Sequence, residues 1–244
     1  MAGIEIWGAR DQGLVRTNNE DDCRWDEHLR VAIVADGMGG AACGEVASFI
    51  TVAAILDYLA ARPPGSFDLE QLKCAVREAN RRVRLRNDVD PACRGMGSTV
   101  VVAHWDLPRL FVLNVGDSRA YLWRRGAMGQ LSIDQTLVNE LRTRANLTEE
   151  QLNEFPHKHV LTMAIGSAPD PMIWSHQTTL EPDDQVLLCT DGLSGPVTDE
   201  GISAILGQPV PARQKVELLV QAAKDAGGPD NITVILLRYH EDRV

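Results

Sequence analysis

Short β-branched runs recur along the chain, at 30–35 (RVAIVA), 98–103 (STVVVA), 110–115 (LFVLNV), 119–123 (RAYLW), 185–190 (QVLLCT) and 232–237 (ITVILL). Each lies beside Gly, Asp or Asn, the usual boundary of a buried strand. The spacing at 105–109, between the second and third runs, predicts a hairpin with a longer loop. A first strand is expected ahead of the polar segment at 16–22.

Helical patterns lie between these runs. The stretch 45–61 is apolar almost throughout, so it should form a helix buried on much of its surface. Over 68–86, Leu69, Leu72, Val76, Ala79 and Val83 share one stripe, with arginines opposite. A third pattern, 211–226, runs through Val216, Leu219, Val220 and Ala223 and stops at Gly227-Gly228. Thr148 and Gln151 have the spacing of a capping box for a further short helix. Hairpin-like strand pairs with helices in separate blocks indicate an α+β fold.

Composition narrows the functional classes. The chain has 244 residues, 44% of them hydrophobic, which suits one compact core and a single domain over 1–244. With 24 basic against 34 acidic side chains the net charge is −10, which argues against binding to nucleic acid or an anionic membrane. The most apolar stretch, 46–56, is too short for a bilayer, which takes roughly 20 residues. Cys23, Cys43, Cys74, Cys93 and Cys189 include no C-x-x-C pair. Neither a disulfide framework nor a structural zinc site is expected from them, and a reducing cytosol fits best. The first residues carry no basic and apolar leader pattern, so the expectation is a cytoplasmic protein.

The informative residues are acids where strands end. Asp36 follows the first run and enters Asp36-Gly37-Met38-Gly39-Gly40; Asp117 follows the third; Asp191 follows QVLLCT; Asp230 immediately precedes the last run, in Gly228-Pro229-Asp230-Asn231. Glu20 and Asp21 lie in the polar segment after the first strand. Any one such Asp-Gly is an ordinary turn. Four together, three with a glycine neighbour, point to a cluster that holds hard divalent cations.

The motifs Asp11-Gln-Gly-Leu-Val-Arg16-Thr-Asn-Asn-Glu20-Asp21, Asp36-Gly-Met-Gly-Gly40, Gly97-Ser-Thr99, Gly116-Asp-Ser-Arg119, Asp191-Gly192 and Gly228-Pro-Asp-Asn231 follow one another in this order. The order resembles that of metal-dependent serine/threonine protein phosphatases of type 2C, the compact bacterial members above all, and spans nearly the whole chain. The resemblance implies a sandwich of two mainly antiparallel β-sheets flanked by α-helices. It implies two Mn2+ or Mg2+ ions bridged by Asp36, with Asp191 and Asp230 completing one and Glu20 and the Gly37 carbonyl serving the other. Asp117, with Asp191, resembles the ligands of a weaker third ion. Arg16 matches the arginine that grips the substrate phosphate, and residues 130–165 match a flap beside the site.

Elementary chemistry agrees with those roles. A phosphate dianion is repelled by bare carboxylates, so cations must invert the local field before substrate binds. Two ions can hold a bridging hydroxide in line with phosphorus, and Arg16 would clamp two phosphoryl oxygens with its planar fork. Ser98 and Thr99 have no paired general base and read as strand-start residues. Asn231 orients Asp230 or caps the turn; a strand-edge pair of Arg119 with Asp117 is the alternative to the third-ion role of Asp117; Asp21 lies behind Glu20 or on the substrate side, or is a solvated acid. His28, His104, His176 and His240 read as surface residues, whereas His157 and His159 fall in the flap. Met38 stands where some members carry histidine, and Phe155, not histidine, precedes Pro156, so no side chain is assigned as the leaving-group acid.

The reading is therefore metal-dependent hydrolysis of phosphoserine and phosphothreonine in proteins, opposing a serine/threonine kinase, by a monomer. The alternative is a pseudophosphatase that binds a phosphorylated regulatory partner.

Overall fold

A computed structural model of the chain describes residues 2–39, 43–63, 67–144 and 160–241. One sheet has the order β1 (Ala2–Asp11), β11 (Ile232–Glu241), β10 (Gln185–Cys189), β7 (Arg119–Arg124) and β8 (Ala127–Gln130). The other runs β2 (Asp21–Asp26), β3 (Val31–Met38), β5 (Val100–Asp106), β6 (Arg109–Val115) and β9 (Trp174–Thr179), with short β4 (Gly97–Ser98) paired to the end of β3. The ladders within both sheets are antiparallel.

Alternate side chains sort into layers, as the period of two demands. Ala32 and Val34 of β3, Val101 and Ala103 of β5, and Val112 of β6 meet Val186, Leu188, Ile235 and Leu237 between the sheets. Val31, Ile33 and Ala35 point the other way, onto α1 (Gly44–Ala60) and α2 (Leu69–Val89). On the opposite outer face, Tyr121, Leu187, Val234 and Leu236 pack beneath α4 (Asp191–Ser194), α5 (Asp199–Leu206) and α6 (Ala212–Asp225). A short α3 (Leu137–Arg144) follows β8. The central strands are buried on both faces, which is why they read as unbroken apolar runs. The expected sandwich of two antiparallel sheets with outer helices is what the chain forms.

Several expectations need correction. Strand β2 was hidden in the sequence because its first residues are buried acids, Asp21 and Asp22. Strands β8 and β9 lie at sheet edges with largely exposed side chains and carry no apolar alternation. The cysteines are not all free. Cys43 and Cys93 form a buried disulfide with Cα atoms 5.3 Å apart, while Cys23, Cys74 and Cys189 remain thiols. Spacing could not reveal it, because the pair meets only where the start of α1 packs against the 3-10 turn Pro91–Cys93. His104 is fully buried in β5 between Phe67 and Phe111, not at the surface. Thr148, Gln151, Phe155, Pro156, His157 and His159 lie outside the described residues. Among the described residues no helix is long and apolar enough to cross a membrane.

Candidate metal centre

The site forms where strands from both sheets run out of the core. Asp36 lies opposite Asp21 across the β2–β3 ladder. Its backbone is held on both sides, since Thr99 N donates to Asp36 O at 2.8 Å and Asp36 N donates to Thr99 Oγ1 at 3.0 Å. Ser98 Oγ also donates to Asp36 O, at 3.0 Å, and Thr99 Oγ1 lies 2.6 Å from Ser118 Oγ, next to Asp117. Ser98 and Thr99 thus anchor backbone at the site, and their hydroxyls are committed to it.

The Glu20 carbonyl accepts from Gly37 N at 3.1 Å and from Ser48 Oγ at 2.5 Å. Helix α1 begins against this pair. A Cβ on Gly44 would sit 2.3 Å from Glu20 Oε2 and 2.9 Å from the Gly37 carbonyl oxygen. Only glycine lets the helix start so close to both oxygens. On the other sheet, Asp191 opens α4 directly after β10, and a Cβ on Gly192 would fall 1.8 Å from the Asn231 carbonyl oxygen. That contact seats Asp191 against the loop carrying Asp230.

Arg16, Glu20, Asp36, Gly37, Asp117, Asp191 and Asp230 all line one cavity of about 970 Å³, together with Thr99, Asn231, Met38 and Leu161. The metal-ligand candidates and Arg16 therefore line one cavity, with Asp21 buried behind them. Their charges act on one another. Burial, then the charges of Asp21, Asp191, Asp117 and Asp230, hold the Asp36 carboxyl well above the usual range. Burial and the Asp191 and Asp134 charges push Asp117 up to about 7. Asp21 is buried rather than solvated and is likewise raised to about 7 by burial, although Thr190 and Thr233 hydroxyls donate to its Oδ2 at 2.9 and 2.6 Å.

Hard oxygen donors crowded so that the charges of Asp21, Asp191, Asp117 and Asp230 all oppose the ionisation of Asp36 form a set that divalent cations satisfy. Among the described residues no three such side chains yet close tightly enough to enclose an ion. Asp230 is paired with Arg16 at 2.7 Å. The donor chemistry and the glycine cradle at Glu20 and Gly37 fit Mn2+ or Mg2+.

Arg119 does not pair with Asp117. Its Nε and Nη2 bond both oxygens of Asp134 at 2.6–3.1 Å, and its Nη1 donates to Tyr121 Oη at 2.8 Å. Asp117 is left facing the cavity and Asp191. Asn231 reaches beyond its own turn: its side chain bonds Gln12, Asn18 and Glu20. No local pattern signals a bond to residues more than 200 positions away.

A sequence profile described as Protein phosphatase 2C matches residues 14–231. The chain is 37% identical over 227 residues to the serine/threonine protein phosphatase PstP of Mycobacterium tuberculosis, a match that covers 93% of this chain and 43% of that protein. It is 31% identical over 234 residues to the serine/threonine phosphatase stp of Listeria monocytogenes, covering 93% of this chain and 92% of that one. The chain thus spans less than half the length of the first relative and nearly all of the second. Among solved structures, the catalytic domain of PstP in complex with two manganese ions superposes with a TM-score of 0.86 at 34% identity, covering 99% of this chain and all of that one.

Proposed function

Since the chain belongs to the protein phosphatase 2C family, we propose that it is a metal-dependent protein phosphatase hydrolysing phosphoserine and phosphothreonine in other proteins. The observation that carries this reading is the meeting of Arg16 with Glu20, Asp36, Asp117, Asp191 and Asp230 on one cavity wall. The names of the relatives from Mycobacterium and Listeria support it.

In this reading Asp36, Asp191, Asp230, Glu20 and the Gly37 carbonyl would hold the two metal ions, with Asp36 shared between them. Asp117 and Asp191 would hold a weaker third ion. When bound, the ions supply positive charge for a phosphate dianion and acidify the water that attacks phosphorus. Arg16, its side chain half-exposed, would take two phosphoryl oxygens and fix the direction of the ester bond. Met38 and Leu161 contribute apolar side chains to the cavity lining. No covalent phosphoenzyme is required. Burial pushes the Cys23 and Cys189 thiols up to about 12, where thiolate is scarce at neutral pH, which weighs against a cysteine nucleophile.

We take residues 1–244 as one catalytic domain, acting in the cytoplasm as a monomer against a serine/threonine kinase; the central part of the expected flap, 145–159, lies outside the described residues. Cys23, Cys74 and Cys189 are thiols, whereas Cys43 and Cys93 are bridged. A pseudophosphatase would retain this fold without the full donor set; here the set is complete. The deciding experiment is phosphate release from a phosphothreonine peptide by EDTA-treated protein. Activity should be absent, then return with Mn2+ or Mg2+; full turnover in protein stripped of metal, verified by elemental analysis, would overturn the mechanism.

A further inference from the structure

The segment 12–20 carries both the phosphate grip and a metal ligand, yet it has no regular secondary structure and is largely exposed. Apolar burial cannot hold such a loop in place. Its connections to the rest of the protein are polar, and those along 12–18 run mainly to the Gly228–Asn231 turn. Leu14 N donates to Gly228 O at 2.8 Å, and Arg16 reaches Asp230. Glu20 O is held separately, by Gly37 N and Ser48 Oγ, and three further ties come from one side chain. Asn231 Nδ2 donates to Gln12 O at 2.9 Å and to Asn18 O at 2.8 Å, while Asn231 Oδ1 accepts from Glu20 N at 2.8 Å.

These three bonds bracket Arg16. Gln12 lies ahead of it and donates from Nε2 to Arg16 O at 2.7 Å; Asn18 and Glu20 lie beyond it. The amide can be oriented in one way only, because two of its neighbours are carbonyls and the third is an N–H. Asn231 is buried, so each of those bonds would be costly to leave unmade. Its backbone does related work: Asn231 N donates to Asp230 Oδ1 at 2.8 Å, and its carbonyl packs against Gly192, the neighbour of Asp191.

We infer that Asn231 is the positioning residue that registers the phosphate-gripping loop against the metal ligands, coupling Arg16 and Glu20 to Asp191 and Asp230. It touches no substrate itself and acts through Arg16 and Glu20. The inference rests on the phosphatase reading above for its catalytic consequence, though the mechanical claim stands on the hydrogen bonds. An aspartate here would keep the acceptor for Glu20 N but turn an oxygen toward the Gln12 and Asn18 carbonyls. An alanine would lose all three bonds.

The test compares Asn231→Ala and Asn231→Asp with wild type in three ways. In metal-free protein, amide hydrogen exchange at 13–20 should accelerate by about tenfold or more, as expected for loss of a buried tie of ~1.4 kcal/mol, while β10 and β11 stay protected. Calorimetric Mn2+ affinity should weaken in the alanine variant. On phosphothreonine peptide, KM should rise by roughly tenfold, and the loss should vanish in an Arg16→Ala background, since both changes then remove the same contact. The aspartate variant, which keeps the side-chain volume, decides the matter if the alanine variant does not fold. Unchanged exchange at 13–20 would overturn the inference, as would KM losses that simply multiply with those of Arg16→Ala. Wild-type protein that binds Mn2+ but releases no phosphate would instead defeat the phosphatase reading, and the exchange measurement would still judge Asn231.

Discussion

Arg16 Nη2 lies 2.7 Å from Asp230 Oδ2, so the residue assigned to phosphate and one assigned to metal hold each other across 214 positions of sequence. The guanidinium neutralises a carboxylate that stands in a strongly anionic cavity. A cation taken up by Asp230 would free the arginine fork for substrate oxygens. Metal uptake and phosphate grip would thereby be linked through one ion pair.

Arg16→Ala should accordingly raise KM for a phosphopeptide by about 10–150-fold, the loss of one charge-assisted contact worth roughly 1.5–3 kcal/mol. Mn2+ affinity should stay the same or tighten, because Asp230 loses a competitor. Calorimetry showing Mn2+ binding weakened tenfold would contradict this account of the pair.

Asp36 is the most crowded of the acids, its ionisation opposed by burial and by four neighbouring carboxylates. Asp36→Asn should therefore raise the thermal midpoint of EDTA-treated protein, by removing a charge that its neighbours repel. The same substitution should abolish tight Mn2+ binding and nearly all turnover. A lower midpoint in EDTA would mean that the carboxylate supports the fold in some other way.

Asp117 faces Asp191 and is not neutralised by Arg119, which Asp134 occupies. Asp117→Ala should keep two tight Mn2+ sites, lose turnover on phosphothreonine peptide, and lose less on p-nitrophenyl phosphate, whose leaving group needs little protonation. Equal losses on both substrates, with both metals retained, would remove Asp117 from leaving-group chemistry.

Burial lowers the pKa of His104 from 6.5 to about 4, so the folded protein holds it neutral where the unfolded chain protonates it. The folded value is depressed; the contribution is complete above pH 6.5 and is lost as pH falls toward 4, amounting to about 3 kcal/mol. His104→Phe should flatten the fall of stability between pH 6.5 and 4, read from urea midpoints. An identical pH slope in the variant would show that other groups set the acid limit.

The Cys43–Cys93 bridge closes a 50-residue separation, for which chain entropy gives up to about 4 kcal/mol of stability. Cys43→Ser with Cys93→Ser should lower the urea midpoint and make it insensitive to dithiothreitol. A double variant as stable as the oxidised wild type would show that the bridge contributes nothing.

Much of this protein was legible in one dimension because burial leaves a local trace. Central strands such as β3 and β5 are covered on both faces, so Val31–Val34 and Val100–Ala103 had to be apolar without interruption. Acids at the ends of such strands stand out, and glycines beside them mark where backbone must approach closely. Strand β2 escaped notice for the same reason the site exists. Its buried Asp21 satisfies Thr190 and Thr233 from the other sheet, and no apolar pattern can announce that.

The amino-acid sequence by itself determined which segments leave water, where their carboxylates are released, and which glycines those turns need; each depends on a residue and its near neighbours. The tertiary structure alone decided that Arg16 meets Asp230, that Arg119 takes Asp134 instead of Asp117, that Cys43 finds Cys93, and that Asn231 holds the 12–20 loop. Such pairings are set by which strands lie side by side in two packed sheets. Hydrogen bonds and ion pairs act over a few ångströms, whatever the distance along the chain.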